Sequence, residues 1–355
     1  METTLPNPPA AQVDPADGRA TGGVVPAVGL FVLSPLIAEY LLGNVSISAL
    51  GYLLLFAPLY GAGALLVREI TRRSGRGWPT MILLGFAYAL VEEGLATQTL
   101  FNPSYQGFDL LSIAHIEALG MGAWWTLFVL TLHTVWSTSV SIALVEALAR
   151  GRRTTPWLGR TGLSITAVLF VLGAIIIAYG SYFEEAFIAS PVQLIGTGVA
   201  IIAVIVAAFG VRPRPGAPDD RPAPKPGLVA TVALLSSSLL MGSSLLLPEQ
   251  RSAADWLLVC CYLGLYAVVI TLVVRWSRRD GWDERHRLAL AGGALLTYAW
   301  YAVPARPVVG ATGQIDLVGN TVFAIGAIIL LAAAVFRQRR HVDADDGVQK
   351  ARPVD

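Results

Sequence analysis

The chain has 355 residues, 55% of them hydrophobic and 14% charged, with a mean hydropathy of +0.62. Soluble domains carry about 25% charged residues, so this composition excludes an ordinary soluble domain and implies a polytopic membrane protein whose first partner is the lipid bilayer. A formal net charge of +1 leaves no basic surplus for a nucleic-acid partner.

Residues 1–25 are rich in Pro, Ala, Asp and Gly and are expected to form a disordered tail. Their acids Glu2, Asp14 and Asp17, against a lone Arg19, are unlike the basic start of a secretory signal. About 20 apolar residues cross the hydrocarbon core. Ten segments meet that length approximately: 27–43, 48–67, 79–100, 120–148, 162–182, 191–211, 227–247, 255–275, 287–304 and 316–336. The fourth is long enough to tilt. Pro35 and Pro58 predict kinks and freed carbonyls in the first two. A Pro-rich linker, 212–226, separates a six-span core (26–211) from a four-span region (227–341), and 342–355 form a second polar tail. In the four-span region the serines at 236–238, 243 and 244 predict close helix packing. The adjacent Cys260 and Cys261 predict small packing residues without a disulfide.

Basic residues alternate between the ends of these spans. Arg68, Arg72, Arg73 and Arg76 follow the second span, and Arg150, Arg152, Arg153 and Arg160 the fourth. Further clusters follow the sixth, eighth and tenth, whereas the opposite loops hold only Arg251 and Arg306. The positive-inside rule then predicts a cell-membrane protein with both termini cytoplasmic. The expected fold class is an all-α bundle of about ten membrane helices. Arg68, Glu69 and Glu146 fall at span ends and are expected at the interface, with Arg68 snorkelling.

Against that background Glu92 and Glu93 stand out, because they lie inside the apolar third span. A carboxylate at bilayer depth costs about 2.5–3.5 kcal/mol on insertion scales unless it is protonated, paired or hydrated. Counting about 1.5 Å per residue puts Glu92 roughly 20 Å, and Glu39 roughly 18 Å, from the basic edge. His133 enters the same level from the fourth span, where Ser137 and Ser141 follow at four-residue steps on one helical face. The loop 101–122 holds Asn102, Tyr105, Gln106, Asp109, His115 and Glu117 and no Lys or Arg. It is expected to fold back as a cap. The competing structural reading makes the glutamates a hydrogen-bonded pair, His133 a neutral donor to a backbone carbonyl, and His115 and Glu117 a solvated loop face.

Glu92-Glu93, then His133-Thr-Val-Trp-Ser137, occur in the order found in the intramembrane protease superfamily that includes the CAAX-processing/bacteriocin-processing enzymes and the PrsW-type proteases. Stretch 92–137 resembles that superfamily. Its motifs are Glu-Glu-x-x-x-Arg/Lys, Phe-x-x-x-His/Glu and His-x-x-x-Asn/Asp/Ser. Here the two acids and the final motif match. The basic residue is absent, Thr97 and Gln98 standing there, and the middle motif is reduced to Leu111-Ser-Ile-Ala-His115. The resemblance implies that Glu92 or Glu93 activates a water and that His133 stabilises the oxyanion or helps hold a metal. Glu39, Gln98, Asn102, Tyr105 and Ser137 are the expected substrate-binding set. A divalent metal is compatible with His133, His115 and Glu93 but not required by them. The leading function is an intramembrane hydrolase acting on a membrane-embedded or lipophilic substrate. A secondary transporter binding a proton or cation at the same carboxylates, and a non-catalytic scaffold, are the alternatives.

Overall fold

The computed structural model describes residues 24–149, 151–211, 219–247 and 254–350. The protein is an all-α membrane bundle. Its helices are α1 (Val24–Pro35), α2 (Leu53–Arg73), α3 (Trp78–Val91), α4 (Ala123–Leu132), α5 (Ser141–Leu148), α6 (Arg160–Glu185), α7 (Pro191–Gly210), α8 (Pro226–Ser244), α9 (Ala254–Trp276), α10 (Glu284–Tyr301) and α11 (Gln314–Lys350). Among the described residues nine helices are long and apolar enough to cross a membrane. The tenth expected span is α10. Its first turn, Glu284-Arg285-His286-Arg287, makes it too polar to match the others, and it is enclosed by protein instead.

The spans differ in what surrounds them. The third and fourth are mostly buried, whereas α6, α7 and α9 expose long rows of Ile, Val and Leu. That outer apolar surface suits hydrocarbon, and the central spans are left free to carry polar groups. Cys260 and Cys261 lie on the exposed surface of α9, not in the packing expected of them; α9 is so peripheral that both side chains point away from the bundle.

One core crosses between the six-span and four-span segments. Trp136 stacks on Tyr298 with ring centroids 4.5 Å apart, and its indole N–H donates to the Ala294 carbonyl at 2.8 Å. Helices α8 and α10 meet almost backbone to backbone: a Cβ on Gly293 would come within 2.5 Å of the Ala230 carbonyl oxygen. Ser237 and Thr297 hydroxyls bond across that seam at 2.6 Å. These are the small-residue contacts the serine stretch predicts. Residues 1–23 and 351–355 of the two expected tails, and 212–218 of the Pro-rich linker, lie outside the described residues. The C-terminal part of that linker forms a short strand (Asp219–Pro222), which pairs with another (Arg279–Asp280).

The basic end holds a correction. Arg68 does not snorkel: it is 0% exposed. Its guanidinium pairs with Glu69 at 2.5 Å and Glu146 at 3.0 Å, and lies 3.2 Å from the Trp157 ring centroid. It also donates to the carbonyls of Arg152, Arg153 and Thr155. Arg72 pairs with Glu146 at 2.6 Å, and Glu69 accepts the backbone N–H groups of Trp157 and Leu158. The loop after α5 folds over Arg68 and supplies the acceptors that water would otherwise provide.

Candidate functional site

Three spans are interrupted by a π-helical stretch: Leu36–Leu41 after α1, Glu92–Ala96 after α3, and His133–Val140 between α4 and α5. Each stretch holds one of the expected site positions, namely Glu39, the Glu92–Glu93 pair, and His133. A π turn inserts a residue, turns the helix face by about 100° and frees carbonyls. Hydroxyls and amides meet those carbonyls here. The Thr97 N–H bonds the Glu92 carbonyl at 2.8 Å, and the Asn44 N–H bonds that of Glu39 at 3.0 Å. Thr138, Ser139 and Ser141 hydroxyls donate to the carbonyls of Thr134 and Trp136. Ser/Thr residues thus let the fourth span widen where His133 must turn inward.

The result is a buried cluster. His133 Nε2 lies 2.7 Å from Glu93 Oε1, and Nδ1 lies 2.9 Å from Glu92 Oε2. Nδ1 also lies 3.1 Å from the Ser137 hydroxyl. Glu93 Oε2 accepts the Thr99 hydroxyl and, at 3.3 Å, that of Thr97. Thr99 in turn accepts the Trp125 indole N–H at 3.1 Å. Ser34 donates to the Ser137 carbonyl at 2.7 Å and so ties the histidine turn to the first span. Glu92 Oε2 is buried, with His133 Nδ1 as its ion-pair partner. The Tyr88 hydroxyl is buried beside Glu92.

Glu39 adjoins this cluster through Tyr60. The Tyr60 hydroxyl donates to Glu39 Oε1, and its ring centroid lies 5.9 Å from that of His133. Asn44 donates to Glu39 Oε2 at 2.6 Å, while the Asn44 carbonyl accepts the Val308 N–H at 2.8 Å from the loop after α10. A loop of the four-span segment therefore grips the turn that orients Glu39.

The other expected residues are placed differently. Ser137 joins the cluster. Tyr105 is close enough to feel Glu93; burial first, and that charge second, push its phenol well above its ordinary range, so it stays neutral. Gln98 turns away with φ +56° and accepts the Ala189 N–H at 2.7 Å. Asn102 donates to Glu185 at 3.3 Å. His115 is exposed, in a two-residue strand (His115–Ile116), with its Nδ1 on the Leu111 carbonyl. Among the described residues, the group close enough to share one metal ion is Glu92, Glu93 and His133, whose donor atoms lie within 4.8 Å of one another; His115 is outside it. The loop 101–122 folds back, burying Leu111, Ile113 and Ala114 with Trp124 and Phe128. Sequence reasoning missed Tyr60, Tyr88 and Thr99. The aromatic residues read as packing, and Thr99 is an uncharged hydroxyl at the very end of the expected span, 79–100.

No curated protein and no solved structure matches the chain. The family described as "Uncharacterized membrane protein family" matches residues 29–339, a stretch that includes all three π segments, and the chain belongs to that family.

Proposed function

We propose that the protein is an intramembrane hydrolase acting on a membrane-embedded or lipophilic substrate, most simply a peptide, from a membrane in which both its termini face the cytoplasm. The observation that carries the reading is the triad of Glu92, Glu93 and His133 built from two π segments. Both carboxylates face His133, but only Glu93 is also held by the Thr97 and Thr99 hydroxyls.

The roles follow from that asymmetry. Glu93, with Thr97 and Thr99 on one oxygen and His133 on the other, holds the imidazole in place. Glu92, which lacks the threonine hydroxyls that hold Glu93, takes the proton of the attacking water. His133, between two carboxylates, delivers a proton to the leaving group. Glu39 and Tyr60 line the adjoining side and hold the substrate, with Ser137 and Tyr105 at its edges. The run of buried polar residues in a bundle otherwise apolar on its outside favours chemistry over a purely packing role.

The test works with an unidentified substrate. Membranes containing the wild type and the His133→Ala variant, at matched expression, are compared by mass spectrometry for membrane-derived peptide fragments. The reading predicts fragments present only with the wild type. Identical fragment sets contradict it.

A further inference from the structure

We propose that a cavity at the basic end of the bundle, apart from the glutamates and His133, binds one phosphate group. The cavity holds about 340 Å³ of empty space, counting its open mouth. Its walls come from α2, α3, α5, the loop after α5, α10 and α11, so it joins the six-span and four-span segments. Three guanidiniums line it, each from a different element: Arg72 from α2, Arg153 from the loop and Arg287 from α10. It lies at the end where arginines cluster after the second and fourth spans, the level at which lipid headgroups sit.

Donors without an acceptor distinguish this cavity. Trp78 forms part of its wall, and the Trp78 indole N–H is buried with no hydrogen-bond acceptor among the described residues. A buried donor of this kind calls for an acceptor. Arg72 is fixed by Nε and Nη2 on the two oxygens of Glu146, at 2.8 and 2.6 Å, and neither bond uses Nη1. Arg287 stands 4.0 Å from Glu284, beyond hydrogen-bond reach. The wall therefore offers an indole N–H and guanidinium N–H groups together. Phosphate oxygens accept several such donors at once.

The two carboxylates on the wall are already answered. Glu146 is held by Arg68 at 3.0 Å and Arg72 at 2.6 Å, and Glu284 by Arg153 at 3.2 Å. Three guanidiniums against two carboxylates leave one positive charge in the lining. A lipid phosphodiester carries one negative charge, so a single headgroup neutralises it. Basic pockets between membrane helices hold lipid headgroups in this way, and Trp78 is an aromatic residue at headgroup level. A purely structural ion-pair network accounts for Arg72 and Glu146 but gives the Trp78 N–H nothing to bond.

The experiment uses the full chain in nanodiscs. In one arm dioleoylphosphatidylglycerol is titrated into a phosphatidylcholine bilayer, and lipid retained per chain is counted by native mass spectrometry. In the other, radiolabelled inorganic phosphate is titrated onto phosphatidylcholine nanodiscs by equilibrium dialysis. One retained phosphatidylglycerol per chain is expected. Arg287→Gln and Trp78→Phe should each weaken it about tenfold. Arg73→Gln, at the same end but off the cavity wall, should leave it unchanged. Trp78→Phe keeps an aromatic ring and removes the N–H, so it separates bonding from packing. Stoichiometric phosphate in the second arm, with the same dependence on Arg287 and Trp78, upholds the site and makes free phosphate its source. Neither lipid nor phosphate bound by the wild type, or binding unaltered in either variant, overturns the proposal. Retention that falls equally in Arg73→Gln marks a diffuse basic surface and overturns it too. If Arg287→Gln misfolds, Trp78→Phe and Arg153→Gln decide.

Discussion

His133 Nε2 sits 2.7 Å from Glu93 Oε1, across the gap between the third and fourth spans. The contact depends on Thr99, which holds the other Glu93 oxygen and is itself held by Trp125. Thr99→Val keeps the shape and deletes the hydroxyl. It should slow cleavage about tenfold, roughly 1.4 kcal/mol of barrier, with little change in thermal stability. Thr99→Ser should restore most of the rate. Equal rates for all three proteins would remove Thr99 from the site's support.

Gly85 governs the same gap from the α3 side. A Cβ there would meet the Thr138 hydroxyl oxygen at 2.6 Å. Gly85→Val should push the π segment His133–Val140 away from Glu92 and Glu93. Overpacking of this kind costs about 1–3 kcal/mol. We expect cleavage to fall by a larger factor than the loss of folded protein explains, measured on samples matched by thermal melting.

At the basic end, Arg68→Ala leaves Glu69 and Glu146 buried without their central cation. Breaking a buried pair in this way costs about 3–5 kcal/mol. Thermal unfolding in detergent should show a large drop in Tm. Arg73→Ala, at a side chain 28% exposed, should move it little.

Asp283 caps α10, accepting the Arg285 N–H at 2.9 Å and its Nε–H at 2.8 Å. Burial opposes its charge, but the contacts with Arg285 and His286 outweigh burial and hold the carboxyl below its ordinary range. Because the folded state binds this proton less readily than the unfolded state, the contribution is complete above the unfolded value, near about pH 4. It is lost as pH falls through the lower folded value. Asp283→Ala should cost about 1 kcal/mol at neutral pH. The Tm gap to wild type should close in acid, and a gap independent of pH would rule this account out.

Much of the architecture was legible because hydropathy and arginine placement are long-range signals that need no tertiary information. The spans, Glu39, the Glu92–Glu93 pair and His133 all came from that level. The π turns did not. Their trace in the sequence is local: Thr97 after the glutamates, and Thr138, Ser139 and Ser141 after His133, hydroxyls placed to meet carbonyls that a wider turn exposes. Arg68 was misread because a span-end arginine normally reaches water. Only the fold shows that the loop carrying Arg152, Arg153 and Thr155 closes over it. Tyr88 and Tyr60 look like core aromatics until their hydroxyls are seen beside Glu92 and Glu39.

The central claim is that Glu92, Glu93 and His133 work as one hydrolytic unit. Its most direct test is purified protein in proteoliposomes with a panel of fluorescent single-span reporter peptides. Wild type is compared with Glu92→Gln, Glu93→Gln and His133→Ala, all matched for thermal stability. Loss of a general acid or base costs about 10²–10⁴ in rate. The account predicts that each single variant falls by at least about 100-fold and that combining two adds little further loss. Cleavage by the wild type that survives in any of the three at the same rate, or no cleavage of any reporter by the wild type, would contradict it.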